Sequence, residues 1–173
     1  MKDIPKSIIW DNHACMPLRP HDSTFLPQLA RLKKSGIDIV GLNVGMDLSP
    51  VETVLALLTS FRAWIAEHQD EYMIVGKSED IQLARQSGKL GIFFDLEGGM
   101  SLNGNLDMLQ TYYGLGVRWM LMTYNKNNDL AGGCHDTDKV LTSFGCKVLT
   151  EMNRIGMLPC CSPYGRAFST RNL

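Results

Sequence analysis

Hydrophobic positions along this chain switch period in a regular alternation. Ser7-Ile8-Ile9-Trp10 is a short apolar run of strand composition that ends at a polar cluster, Asp11-Asn12-His13. Thr24 to Ser35 then carries Phe25, Leu26, Leu29 and Leu32 at the spacing of a helix face, with Gly36 as its stop. Ile37 to Val44 alternates like a strand, and a long amphipathic helix follows from about Pro50 to Glu71, with Ser49 as its cap and Pro50 in its first turn. Tyr72-Met73-Ile74-Val75 predicts a short strand, and Ser78-Glu79-Asp80 opens a helix through Arg85. Leu90-Gly91-Ile92-Phe93-Phe94 is apolar enough for a strand covered on both faces. A helix from about Leu106 to Leu115 leads to a strand at Trp119 to Thr123, and one from Ser143 to Ile155 leads to Met157-Leu158.

Steady alternation of strand and helix predicts an α/β fold built on a parallel sheet with crossover helices. The 173 residues hold about five strand-helix units, whereas a complete eight-unit TIM barrel runs about 250 residues. The sheet is therefore either a small open one or part of a barrel. No linker, repeat or low-complexity segment interrupts it, so residues 1–173 are expected to form a single domain.

Composition narrows the partners. With 17 Lys and Arg against 18 Asp and Glu the net charge is −1, which gives no electrostatic reason to expect nucleic acid or an anionic membrane. A chain 45% hydrophobic and 20% charged is not a disordered tail, a coiled coil or a collagen-like repeat. No uncharged apolar run approaches the ~18 to 20 residues of a membrane helix, and the start, Met1-Lys2-Asp3-Ile4-Pro5, lacks a secretory apolar core. A cytoplasmic protein is expected. Cys15, Cys134, Cys146, Cys160 and Cys161 make an odd set without a CxxC pair, which fits free thiols.

Three polar clusters fall where strands end: Asp11 to Cys15, Asp95 to Gly99, and Thr123 to Asn128. The C-terminal ends of parallel strands face the ligand crevice, so these clusters are expected to meet. His13 and Cys15 are two apart on extended chain and project the same way, within reach of one metal ion. Each residue also has a plainer reading. His13 can be a hydrogen-bonded histidine, Cys15 a small core residue, and Glu97 a carboxylate capping the next helix through the Gly98 and Gly99 amides. Against the last, a carboxylate directly after Ile92 to Phe94 is costly to desolvate without a cation or several donors. Cys160 and Cys161 read as buried thiols, and His21, His68 and His135 with Asp136 as solvated. Tyr112, Tyr113 and Trp119 read as core aromatics rather than a ligand platform.

From Leu96 onward the chain reads Leu-Glu-Gly-Gly, then Leu102, Leu109, Tyr113 and Gly116-Val117-Arg118. This stretch, including its spacing from Glu97 to Arg118, resembles the signature of the membrane dipeptidase (renal dipeptidase) family of zinc metallopeptidases. The likeness extends to Asp11-Asn12-His13, to Leu141 through Gly145 and to Glu151 through Met157. It covers residues 7 to 162, roughly the amino-terminal half of a family member.

The resemblance implies a partial TIM (β/α) barrel of the amidohydrolase, metal-dependent hydrolase type. It also implies two zinc ions bridged by a glutamate, and hydrolysis of dipeptides by a metal-bound hydroxide. The family's His-x-Asp pair falls on His13 and Cys15, its bridging, catalytic glutamate on Glu97, and a substrate-contacting histidine on Tyr124. Zinc takes thiolate as readily as carboxylate, so Cys15 does not by itself remove a site, and both metal binding and packing stay open for it. The next metal histidine is expected after Ser162, where this chain has Pro163, and the remaining ligands would lie beyond Leu173. Of the two zinc ions of an intact site, at most one, weakly held, is expected here.

One inserted nucleotide turns a coding run for Ser-His-Thr-Gly into one for Ser-Pro-Tyr-Gly, the sequence from Ser162 to Gly165, so Arg166 to Leu173 are expected to be an out-of-frame tail. Two functions compete. One is a zinc-dependent dipeptidase acting on a dipeptide or small amide; the other is a catalytically inactive, truncated fragment of such an enzyme. A different barrel hydrolase of the same superfamily fits the Glu97-to-Arg118 match less well. Half a barrel leaves a strand edge open on each side, so self-association is expected.

Overall fold

The computed structural model describes residues 7–160 together with Ser162 and Gly165. Parallel strands β1 (Trp10–Ala14), β2 (Ile39–Met46), β3 (Tyr72–Ile74), β4 (Leu90–Glu97), β5 (Val117–Leu121) and β6 (Leu158–Cys160) alternate with helices. These are α1 (Leu29–Lys34), α2 (Val51–Glu67), α3 (Ser78–Gln86), α4 (Met108–Gly114) and α5 (Ser143–Ile155). Five strands form one path, β1-β2-β4-β5-β6, and β3 stands off it. β2 lines one edge of β4 from Gly91 to Glu97; β3 takes the opposite edge at Leu90 to Ile92, and β5 takes that edge over from Phe94. The six strands and five α-helices of the described residues follow the alternation read from the sequence, and Tyr72–Ile74, expected as a strand, pairs only at the amino end of β4.

Helices form where apolar residues recur at helical spacing. In α2, Val54, Leu57, Leu58, Phe61, Trp64 and Ile65 make one buried stripe. Ser49 is not its cap: the Ser49 hydroxyl accepts the Met46 amide at 2.9 Å, and Pro50, with ψ at 150°, is the residue that enters the helix. The helix ends at His68, whose ring stacks on Trp64 with centroids 4.1 Å apart and whose Nδ1 donates to the Trp64 carbonyl at 2.8 Å. His68 is thus half-buried by its cap role rather than solvated. Thr142 caps α5 by accepting the Gly145 amide at 2.9 Å, and Gly156, at φ +82°, ends it.

Strand parity divides the sheet into two faces. Leu90, Ile92, Phe94 and Leu96 of β4, with Val40, Leu42 and Val44 of β2, pack under α2, α4 and α5 in the main core. On the other face Ile39, Phe93, Trp119 and Leu121 form a smaller apolar cluster with Val75 and with Ala84 of α3. Further along that face the same parity carries Asn43, Asp95 and Glu97. The inner face is therefore apolar at the amino ends of its strands and polar at their carboxyl ends.

Both polar runs lie inside strands. β1 starts at Trp10 and includes Asp11, Asn12 and His13, while β4 continues through Asp95 and Glu97. Hydrophobicity marks only the covered part of each strand; the ladder persists where polar side chains satisfy one another. Pro163, Cys161 and the stretch Arg166 to Leu173 lie outside the described residues, and with them the expectations placed there.

Candidate metal centre

His13 owes its direction to a bulge. β1 and β2 are paired at Trp10 with Ile39, Asp11 with Val40 and Ala14 with Leu42, so β1 spends one residue more than its neighbour between the last two pairs. Trp10 faces inward against Phe93, ring centroids 5.5 Å apart, and the extra residue brings His13 to that face in place of Asn12. The Asn12 carbonyl accepts the Trp119 indole N–H at 3.2 Å. Gly41 makes this possible: a Cβ there would lie 2.4 Å from the Asn12 oxygen and 2.6 Å from the Phe93 ring. Trp119 also flanks the His13 ring at 5.6 Å.

One donor atom each from His13, Cys15 and Glu97 falls within 4.8 Å of the others, which no other set of three such residues achieves among the described residues. Cys15 Sγ and Glu97 Oε1 each lie 3.4 Å from His13 Nε2. An imidazole nitrogen, a thiol sulfur and a carboxylate oxygen are donors that zinc accepts, and they suffice for one divalent ion. Cys15 is exposed, which removes its reading as a core residue.

On the other side of the ring, His13 Nδ1 lies 3.1 and 3.2 Å from the two Asp95 oxygens. Asn43 Nδ2 donates to Asp95 Oδ1 at 3.1 Å and to the Gly45 carbonyl at 3.2 Å. Asp95 and Asn43 are fully enclosed. All four groups of the cluster hold a proton more tightly than usual. The hydrogen bond to Asp95 raises His13 above its ordinary value. Burial raises Glu97 and Asp95, and burial with the charges of Glu97 and Asp95 raises Cys15.

Glu97 does not cap the turn that follows it. Asp47, from the loop after β2, accepts the Met100 amide at 3.2 Å, the Tyr124 amide at 2.7 Å and Asn128 Nδ2 at 3.0 Å, tying together the loops after three strands. Gly98 sits at φ +127°, where a Cβ would come 2.1 Å from Asp47 Oδ1. Burial raises the Asp47 carboxyl despite these donors. Tyr124 stands half-buried at this end of the sheet and borders a cavity of about 1000 Å³ that Met46, Asp47, Asn128 and His135 also line.

The other assignments divide. His21, His135 and Asp136 are exposed, as expected, whereas Cys160 is only half-buried. Tyr112 and Trp119 are core residues, although Trp119 also touches the site. Asn43 and Asp47 escape a reading of sequence alone, and Asp95 appears there only as a member of a polar cluster, without a role. The available signals were Asp95 two places before Glu97 on one strand face and Asn43 as a polar interruption of an apolar run.

Fold and site together define part of a parallel α/β barrel with a metal-capable cluster at the carboxyl ends of its strands. Residues 23–167 match the membrane dipeptidase family, peptidase family M19, and the chain belongs to that family. An uncharacterized dipeptidase of Schizosaccharomyces pombe is 29% identical over 114 residues, 62% of this chain and 27% of the yeast protein. Dipeptidase 3 of Macaca fascicularis is 34% identical over 119 residues, 65% of this chain and 24% of that protein. The matches thus span about a quarter of these relatives. An amidohydrolase from Pseudomonas aeruginosa superposes with a TM-score of 0.84 at 24% identity, covering 94% of this chain and 48% of that one. A metallo peptidase from Rhodobacter sphaeroides, liganded with a phosphinate mimic of the dipeptide L-Ala-D-Ala, superposes at 0.78 with 15% identity, covering 92% and 60%. Among the described residues no helix is long and apolar enough to cross a membrane.

Proposed function

We propose that this chain carries a zinc-binding site of the dipeptidase type, with His13 Nε2, the Cys15 thiolate and a Glu97 carboxylate oxygen as ligands and a dipeptide or small amide as substrate. The observation that carries the reading is the convergence of these three donors within 4.8 Å at the strand ends of a membrane dipeptidase family barrel. When bound, the ion supplies a Lewis acid that polarises a scissile carbonyl and acidifies water. The residues do the rest. His13 and Cys15, brought to one side of the bulged strand, fix the position. Glu97 presents a carboxylate oxygen 3.4 Å from His13 Nε2, on the side of the ring that also faces Cys15. Tyr124 contacts substrate from the cavity beside Asp47.

Three donors account for one ion. Hydrolysis at a two-ion centre needs ligands beyond them, so the second reading, a chain that holds one zinc ion without turnover, rests on the same donor set. Elemental analysis of the purified chain should give one zinc per polypeptide, falling to background in His13→Ala and Glu97→Gln. A wild-type chain without zinc after incubation with the ion refutes the assignment. Turnover of a dipeptide such as L-Ala-D-Ala by the zinc-loaded chain selects the first reading over the second.

A further inference from the structure

Asp95 is a fully buried carboxylate that the family signature does not single out and that contributes nothing to the three-donor cluster. A buried carboxylate persists only where donors satisfy it. Asp95 has two: the Asn43 amide at 3.1 Å and the His13 ring at 3.1 and 3.2 Å. They come from β2, which pairs with β4, and from β1 beyond it, and Asn43 is itself held by the Gly45 carbonyl at 3.2 Å.

The chemistry of that contact decides the state of His13. Ionised carboxylates face both ring nitrogens, Asp95 with two oxygens at 3.1 and 3.2 Å from Nδ1 and Glu97 with one at 3.4 Å from Nε2, so of the two neutral tautomers the closer pair of contacts favours the one protonated on Nδ1, which leaves Nε2 its lone pair. Nε2 is the nitrogen that faces Cys15 and Glu97. In water an imidazole distributes its proton between both nitrogens, and the form protonated on Nε2 cannot ligate through it. Trp119, at 5.6 Å from the ring, and its N–H bond to the Asn12 carbonyl hold His13 in this pose from the other side.

We propose that Asp95, held by Asn43, is the positioning residue of the site: it fixes the Nδ1–H tautomer of His13 and so aims the Nε2 lone pair at the ion. The proposal rests on the zinc-binding reading above. It adds a residue that touches neither ion nor substrate and acts through His13 alone. A carboxylate behind a ligating imidazole also makes the ring a stronger donor, and loss of such a partner costs about 10- to 100-fold in metal affinity.

Two measurements on the full chain test it. The ¹⁵N spectrum of the metal-free protein, with the His13 signals assigned by their absence in His13→Gln, should show His13 protonated on Nδ1 at a pH where the ring is neutral. Competition with a chromophoric chelator should show zinc affinity about 10- to 100-fold lower in Asp95→Asn, with the His13 signals shifted toward a mixture of tautomers. Asn43→Ala should move both readouts the same way by less, and serves if Asp95→Asn does not fold. A wild-type ring protonated on Nε2 overturns the proposal, as does an Asp95→Asn variant with unchanged tautomer and unchanged affinity. Lower affinity with an unchanged tautomer also overturns it, because Asp95 would then act as a direct ligand or as a packing residue. A wild-type chain that takes up no zinc defeats the metal reading instead, and the ring spectrum alone then decides what Asp95 does.

Discussion

His13 holds a proton more tightly in the folded protein than its ordinary value near 6.5 allows, because Asp95 accepts from its ring. A raised folded value means that the native state binds the proton better than the unfolded chain does. The associated stability is fully present below about pH 6.5 and is lost as pH rises through the folded value. Asp95 and Glu97, raised by burial, act with the same sign over a lower window that opens near their ordinary values of 3.8 and 4.5. The metal-free protein is therefore expected to lose melting temperature as pH climbs above 6.5, and His13→Gln to flatten that part of the slope. Thermal melts in chelator at stepped pH check this, and identical slopes for both proteins would contradict it. At this scale the sequence revealed His13, Cys15 and Glu97 because a strand's two-residue period and a strand-end address are local properties. It placed Asp95 in a strand-end cluster without a role and did not single out Asp47, because their roles exist only through distant partners, His13 82 and Tyr124 77 positions away.

Elements were legible wherever packing and period agree. The stripe of α2 and the apolar run of β4 face the same core, where Phe61 lies 5.9 Å from Phe25 and 6.4 Å from Phe94, ring to ring. Phe61→Ala removes a fully buried ring and should cost about 3–5 kcal/mol, read as a lower urea midpoint at unchanged slope. What the pattern missed were the places where a ladder runs on into polar residues, and the bulge in β1. A bulge leaves no periodic trace; it is specified by what the other strands leave room for. Gly41 is that room. Gly41→Ala should destabilise by about 1–3 kcal/mol through overpacking against the Asn12 carbonyl and Phe93, and should weaken zinc binding as well, because the displaced bulge carries His13. Chelator competition separates the two effects: lost stability with wild-type zinc affinity would show that the bulge does not aim the histidine.

At the scale of the whole molecule, the edges of the described sheet bear on association. Among the described residues β1 pairs only with β2, and β6 only with β5. Apolar side chains crowd both ends of the sheet, with Trp10 43% and Leu158 66% exposed. Unpaired edges with apolar neighbours are templates for pairing with a second copy. Sedimentation is expected to show dimers or larger species that grow with concentration, and Ile9→Lys with Leu158→Lys to reduce them. A monomer at every concentration tested would refute this.

The sequence by itself determined the alternation of strand and helix, the five strand-helix units and the strand-end addresses of His13, Cys15 and Glu97, since each of these is written in residues that are neighbours along the chain. Only the tertiary structure decided that β3 lies off the barrel path and that Asp47, not Glu97, binds the turn. It alone turned a bulged histidine toward a carboxylate from another strand. Those outcomes depend on register and on the space left by distant residues, quantities that take a value only when the strands are side by side.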